Sequence, residues 1–144
     1  MNQQPSPSRP ASLSAQPAGP SGVAAPSAVA LDARALAELR LLDPSGSVGL
    51  IPQVYSSYLQ SLHRLMLQLT QARLHGDHAA MSLAAHTLKS SSASVGALGL
   101  SKLCAALEDA LRAGALDQLP GLHDRLQAEA VRVAAAVPQF LSDH

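Results

Sequence analysis

The chain is poor in the residues that build β-sheets. Its 144 residues include three aromatic side chains, one isoleucine, eight valines and two threonines, whereas sheets are enriched in β-branched and aromatic residues. Alanine and leucine, which are among the strongest helix formers, together number 52. The composition therefore predicts an all-α protein, and the length suits one domain.

Other absences exclude further classes of protein. A single cysteine, Cys104, cannot form an internal disulfide and is typical of a reducing compartment. The sequence has no apolar run of about 18 residues to span a bilayer, and residues 1–22 do not resemble a secretory signal. Ten Lys and Arg balance ten Asp and Glu, which leaves no basic footprint for nucleic acid. We therefore expect a cytoplasmic monomer that neither inserts into a membrane nor binds nucleic acid.

Residues 1–30 differ in composition from the rest of the chain. They hold six of the ten prolines, six serines and a single charged side chain, Arg9. Such sequence has too few apolar residues to offset the entropy of ordering. We predict a disordered tail or linker over residues 1–30 and a folded domain over residues 31–144.

Apolar residues recur at steps of three and four in five segments beyond the tail. The segments begin near Asp32, Pro52, Asp77, Leu100 and Asp117, and the first four end near Asp43, Gly76, Gly96 and Gly114. The four prolines beyond residue 30 are all expected at helix ends. Because the later connections are short, neighbouring helices must be antiparallel. The pattern predicts an up-down-up-down four-helix bundle, with a short additional N-terminal helix across one end.

The third segment presents one histidine on its outward face. A helical projection places His86 opposite the apolar stripe of that segment, and its only large neighbour on this face is expected to be Lys89, three residues on. A surface cleared of bulk around one imidazole is expected where another protein must approach the ring. The face comprises Ala79, Ser82, His86, Lys89, Ser90 and Ala93.

The other histidines and the cysteine have ordinary structural explanations. No convergent set of His, Cys and carboxylate side chains is visible at ligand spacing, so no metal site is predicted. Cys104 lies on an apolar stripe and is expected to be a buried, inert thiol. The remaining histidines are His63, His75, His78, His123 and His144.

An exposed imidazole beside a cation suits nucleophilic acceptance of a phosphoryl group. Phosphoryl transfer depends mostly on positioning and on stabilising charge, and an imidazole with an ordinary pKa near 6.5 is a competent nucleophile at neutral pH. Lys89 would supply the positive charge and Ser90 a hydroxyl. The sequence has no Gly-rich phosphate loop, so we expect no ATP site and no cofactor of its own, with Mg²⁺ supplied by a partner.

Two sequence motifs extend this interpretation. Residues 86–97, HTLKSSSASVGA, resemble the signature of histidine-containing phosphotransfer (HPt) domains, His-x-Leu-Lys-Gly-Ser-Ser followed by small residues and Gly-Ala. Residues 103–108, LCAALE, resemble the Leu-Cys-x-x-Leu-Glu segment on the next helix of that family. The resemblance covers about residues 31–141.

The resemblance implies a role for individual residues. His86 matches the phosphorylated histidine, and Lys89 the lysine that stabilises the phosphoryl group. Ser90 stands where glycine is commoner, and its hydroxyl is expected to contact the phosphoryl group. Gly96 matches a glycine at the end of the third helix. Glu108 aligns with a Gln or Glu beside the histidine, although an ionised Glu can only accept hydrogen bonds. We expect the partner-docking face to comprise Ala79, Ser82, Ala93, Gly96 and Glu108.

The resemblance also implies a function and its partners. We expect a carrier, not an enzyme, that passes phosphate between receiver-domain aspartates in a multistep phosphorelay, with receiver domains and a hybrid sensor histidine kinase as partners. A histidine-kinase dimerisation domain would place an acidic residue after the histidine, where this chain has Thr87. A helical adaptor that binds a signalling partner without chemistry remains the alternative.

Overall fold

The computed structural model describes residues 29–144, and within that range every regular element is helical. The prediction of an all-α fold is therefore confirmed. The predicted tail lies outside the described residues except for Val29 and Ala30, of which Ala30 is buried in the core. The helices are α1 Ala33–Leu42, α2 Leu50–Leu74, α3 His78–Ser94, α4 Leu98–Ala113 and α5 Leu119–Asp143, with a short 3₁₀ turn over Leu116–Gln118.

Helix boundaries follow local capping chemistry. The Asp32 carboxylate accepts from the amide of Arg34 at the start of α1, and Asp77 accepts from Ala80 at the start of α3. Side-chain oxygens at these positions satisfy amides that the first turn of a helix leaves unpaired. Helices α1 and α3 therefore begin where the sequence provides an acceptor, whereas α2, α4 and α5 begin without a side-chain cap.

One prediction about the prolines is wrong, because Pro138 lies inside α5. Proline lacks the amide that would bond to the carbonyl of residue 134. Both Ala134 and Pro138 are exposed, so water can satisfy that carbonyl and the helix continues to Asp143.

The four long helices pack as a closed antiparallel bundle. Tyr58 of α2 hydrogen-bonds Ser92 of α3 at 2.8 Å, and Tyr55, one turn earlier on α2, donates to the carbonyl of Val95 just past α3. The ring of Tyr55 also contacts Phe140 near the end of α5. The start of α2 therefore meets the ends of both α3 and α5, and α4 packs between α3 and α5.

The start of α1 covers the turn between α3 and α4. The amide of Asp32 donates to the carbonyl of Gly96 at 2.8 Å. Gly96 has φ +84°, and a Cβ there would lie 2.6 Å from the backbone oxygen of Asp32. Only glycine allows this approach. The short N-terminal helix therefore lies at the end of the bundle that holds Tyr55 and Val95.

None of the helices described between residues 29 and 144 combines the length and the apolar character needed to cross a bilayer.

Candidate functional site

His86, Lys89 and Glu108 form one linked cluster between α3 and α4. Nδ1 of His86 lies 3.1 Å from Oε2 of Glu108, and Nζ of Lys89 lies 2.7 Å from Oε1 of the same carboxylate. The side chain of His86 is 63% exposed, that of Lys89 35% and that of Glu108 8%. A buried carboxylate therefore connects an exposed ring to a half-buried ammonium.

The packing of α3 against α4 brings these residues together. His86 and Lys89 are three residues apart, so they project from the same side of α3. The hydroxyl of Ser101 on α4 donates to the carbonyl of Lys89 at 2.9 Å and fixes the position of one helix along the other. Glu108 lies two turns further along α4, beneath the His86 ring.

The carboxylate of Glu108 is ionised at neutral pH despite its burial. Burial alone would raise its pKa, but hydrogen bonds and charge from Lys89 and His86 outweigh that effect, so the pKa of Glu108 is lowered. The nearby thiol of Cys104 is buried, and burial together with the charge of Glu108 raises its pKa to about 12. Cys104 is thus a buried, unreactive thiol, as predicted.

The carboxylate also determines which ring nitrogen of His86 is free. An ionised carboxylate only accepts hydrogen bonds, so Nδ1 must donate its proton to Oε2. In the neutral ring Nε2 then carries the lone pair, and within residues 29–144 no group hydrogen-bonds it. The neutral ring therefore presents its lone pair at the free Nε2, while its other nitrogen is anchored.

Three of the five predicted docking residues lie at the surface beside His86, as does Ser90, the predicted contact of the phosphoryl group. Ala79, Ser90 and Ala93 are exposed and Ser82 is half-buried, all on the face of α3 that carries the ring. The hydroxyl of Ser90 makes no hydrogen bond within residues 29–144, and its contact with a phosphoryl group stays a prediction.

Two other predicted docking residues are not at the surface. Gly96 is buried beneath Asp32, because the start of α1 covers it. Glu108 is buried beneath His86, where it contacts the ring and Lys89 rather than a partner. Their assignment to a docking face is wrong, although Glu108 belongs to the cluster itself.

The outward face also holds a large apolar side chain that the sequence analysis missed. Leu83, three residues before His86, is 70% exposed. It lines a groove between α2 and α3 together with Thr87 of α3 and Arg64 and Gln68 of α2. Its position three residues from His86 was the available signal. The face around His86 therefore carries a large apolar side chain in addition to small ones.

The serines that follow Ser90 have structural roles. Ser92 is buried and hydrogen-bonds the hydroxyl of Tyr58, and Ser91 donates to the carbonyl of Leu88 within α3. Ser92 therefore links α3 to α2, whereas Ser91 bonds only within its own helix.

A second histidine cluster joins the end of α2 to the start of α5. His123 is 2% exposed, with Nδ1 2.8 Å from a guanidinium nitrogen of Arg73 and Nε2 3.1 Å from Oγ1 of Thr70. Burial, and then the charge of Arg73, lowers the pKa of His123. Arg73 also lies 3.8 Å from a carboxylate oxygen of Asp124. This cluster buries its histidine, whereas the His86 cluster exposes one.

The described part of the chain holds no group of three His, Cys, Asp or Glu side chains placed to bind a metal ion.

Comparisons with known proteins identify the family of the chain. Residues 53–136, more than half of the chain, match the sequence profile of the Hpt domain. The crystal structure of histidine-containing phosphotransfer protein B (HptB) from Pseudomonas aeruginosa PAO1 is similar to this chain, with a TM-score of 0.72 and 27% sequence identity. The similarity covers 82% of this chain and 99% of that one. No curated protein matches the sequence. The chain belongs to the Hpt family of histidine-containing phosphotransfer domains.

Proposed function

We propose that this chain carries a phosphoryl group on Nε2 of His86, accepted from a receiver-domain aspartate and passed to another. One observation carries the proposal: His86 is exposed at Nε2 while its Nδ1 is anchored on the buried carboxylate of Glu108, beside Lys89. The family supports histidine phosphotransfer in general. The choice of His86, its nitrogen and the direction of transfer are our inference.

In the proposed step the lone pair of Nε2 attacks the phosphorus of an aspartyl phosphate. The bond between phosphorus and the aspartate oxygen breaks, and the aspartate leaves as a carboxylate with the bonding electron pair. Nδ1 keeps its proton throughout the step, and that N–H group donates a hydrogen bond to the carboxylate of Glu108. Delivery to the next aspartate is the reverse reaction. The hydrogen bond to Glu108 holds the ring in the orientation that an in-line attack requires.

Lys89 supplies the positive charge for the transferred group. Its side chain is half-buried and ends beside Glu108, three residues along the helix from His86. A flexible ammonium at that distance can turn toward the oxygens of a phosphoryl group bonded to Nε2. Lys89 would stabilise the charge on the transferred group, and the neighbouring Ser90 hydroxyl would add a donor.

The His86 cluster does not fit a resident Mg²⁺. That ion prefers six oxygen ligands, and the cluster offers one carboxylate whose two oxygens already pair with His86 and Lys89. We therefore assign the expected Mg²⁺ to the partner, and likewise any ATP site to an upstream kinase. The chain acts as a carrier, not as an enzyme.

The partner we propose is a receiver domain, loaded in turn by a hybrid sensor histidine kinase. The surface around His86 combines small side chains at Ala79, Ser82 and Ala93 with the exposed Leu83. A small, partly apolar face suits a transient interface, because a carrier must release both donor and acceptor.

The test is transfer from a phosphorylated receiver to the wild-type chain and to His86→Gln. We expect acid-labile, base-stable label on the wild type and none on His86→Gln, with helicity unchanged because the ring is exposed. His63→Gln, which removes an exposed histidine from α2, is the matched control and should label normally. Full labelling of His86→Gln would overturn the assignment. A wild type that binds receivers but never takes label would instead favour the adaptor.

A further inference from the structure

The buried carboxylate of Glu108 has two partners that can carry positive charge, and phosphorylation would change one of them. Oε1 faces Lys89 and Oε2 faces the His86 ring. Within residues 29–144 the buried Oε1 has no hydrogen-bond partner that meets the usual geometry, and the ammonium of Lys89, 2.7 Å away, is its ion-pair partner. The environment of Glu108 therefore depends on where Lys89 points.

A phosphoryl group on Nε2 would compete with Glu108 for Lys89. The group carries negative charge on three oxygens, at a position three residues from Lys89 along one helix face. If Lys89 turns outward to those oxygens, Oε1 loses its counter-charge. A buried carboxylate without a counter-charge is costly, and the remaining neighbour that can carry a positive charge is the imidazole ring itself.

We propose, on the basis of the function above, that Glu108 keeps Nδ1 of phosphorylated His86 protonated and thereby makes the phosphohistidine a short-lived, reactive donor. The proton determines the leaving group. When the phosphorus–Nε2 bond breaks in a protonated ring, the electron pair returns to Nε2 and a neutral imidazole leaves. Without the Nδ1 proton the leaving group is an imidazolate anion, which is far less stable.

Few other charged or titratable groups face this ring. On α3 itself Lys89 is the nearby charge, and it opposes ring protonation. From α4 come Glu108 and the thiol of Cys104, whose raised pKa keeps it neutral. On the α2 side Arg64 lines the groove beside Leu83 and Thr87. The carboxylate of Glu108 is therefore the one negative charge in contact with the ring within the described chain.

The test uses phosphoramidate as the donor, so that no receiver is needed. Its phosphorus–nitrogen bond breaks, ammonia leaves, and the phosphoryl group passes to Nε2. After the donor is removed, ³¹P NMR follows decay of the phosphohistidine, and ¹H–¹⁵N NMR follows the protonation of Nδ1 between pH 6 and 9. Only decay after donor removal is compared, so slow loading of a variant does not affect the result.

We expect the variant Glu108→Gln to lose the Nδ1 proton at a pH about one unit or more below that of the wild type. At a pH where Nδ1 is mostly deprotonated in both proteins, the phosphohistidine of Glu108→Gln should decay about tenfold more slowly than that of the wild type. The reason is that one pH unit changes the protonated fraction tenfold. Asp109→Asn removes the same charge from the next residue of α4, which is exposed and pairs with Arg112, and it should match the wild type. Glu108→Asp keeps the charge and should stay closer to the wild type than Glu108→Gln.

Equal decay rates and equal Nδ1 titrations for wild type and Glu108→Gln would overturn the proposal while leaving His86 as the acceptor. A wild-type chain that takes no phosphate on His86 from phosphoramidate or from a receiver would instead contradict the proposed function. Circular dichroism of each variant separates both results from a loss of fold.

Discussion

Two clusters in this bundle use the same side chain with partners of opposite charge. His86 is exposed and donates from Nδ1 to a buried carboxylate, whereas His123 is buried and accepts at Nδ1 from the guanidinium of Arg73. A guanidinium only donates hydrogen bonds, so the proton of His123 lies on Nε2, which donates to Thr70. The hydroxyl of Thr70 in turn donates to the carbonyl of Met66.

The two partners select opposite tautomers and thereby opposite roles. In His86 the lone pair is on Nε2, away from the carboxylate and toward solvent. In His123 the lone pair is on Nδ1 and is already used by Arg73, in a closed chain of hydrogen bonds between α2 and α5. The identity of the charged partner, more than the histidine itself, separates a nucleophile from a structural crosslink.

Removing the buried ring should have the largest effect on stability. We expect His123→Ala to lower the free energy of unfolding by about 2–3 kcal/mol, because it leaves a cavity and removes the hydrogen-bond partners of Arg73 and Thr70. Urea denaturation measures the loss. Phosphoryl uptake by the folded fraction should be normal, since His123 lies on α5 and outside the His86 cluster.

The matched variant at the other cluster is His86→Ala, for which the pattern should reverse. Because the ring is exposed, the free energy of unfolding should change by less than about 0.5 kcal/mol. Uptake should vanish. If both variants lost stability equally, the two histidines would not differ as the clusters indicate.

A smaller effect is expected from the cation of the exposed cluster. Lys89→Ala should slow phosphoryl uptake about tenfold. The rate loss should be smaller than when a hydrogen-bond donor is removed from a site that excludes water, because Lys89 is partly solvated. Stopped-flow or quench-flow transfer from a phosphorylated receiver measures the rate. Lys102→Ala removes an exposed lysine from α4 and should leave the rate unchanged. A normal rate for Lys89→Ala would remove the ammonium from the mechanism.

Much of the fold and two of the three cluster residues could be predicted from local spacing in the sequence, whereas only the family resemblance placed Glu108 beside the histidine. Asp32 and Asp77 mark helix starts through their own side chains. His86 and Lys89 share a face because they are three residues apart. What local spacing cannot provide is the register between helices. Glu108 is 22 residues from His86, and its place beneath the ring depends on how α4 packs along α3.

The same limit explains the errors at the surface. Gly96 belongs to the motif that resembles the family signature, but the start of α1 buries it from a distant part of the sequence. Leu83 was missed because a leucine in a helix is ordinarily expected to face the core, whereas this one is exposed. Pro138 lies inside a helix because its surroundings are solvated, which periodicity does not reveal. In each case the burial or exposure of the residue depends on another part of the chain or on solvent, which the sequence of its own segment does not reveal.

The smallest expected effect is a dependence of stability on pH that comes from the buried cluster. The pKa of His123 is lowered in the folded state, so the unfolded chain binds the proton more readily. Stability contributed by the neutral ring is full above the ordinary histidine pKa near 6.5 and is lost as the pH falls through it toward the folded value. We expect the free energy of unfolding to fall as the pH is lowered from 7.5 to 5.5.

His123→Gln isolates this effect, because a glutamine amide can still accept from Arg73 and donate to Thr70 but does not titrate. Urea denaturation at several pH values should show a flatter profile for His123→Gln than for the wild type. His63→Gln, at an exposed histidine of α2, should keep the wild-type profile. The carboxylates with lowered pKa values, including Glu108, lose their contribution only at more acidic pH, so this window reports on His123. An unchanged slope in His123→Gln would mean that Arg73 and burial do not keep this ring neutral, and the contrast between the two clusters would then rest on exposure alone.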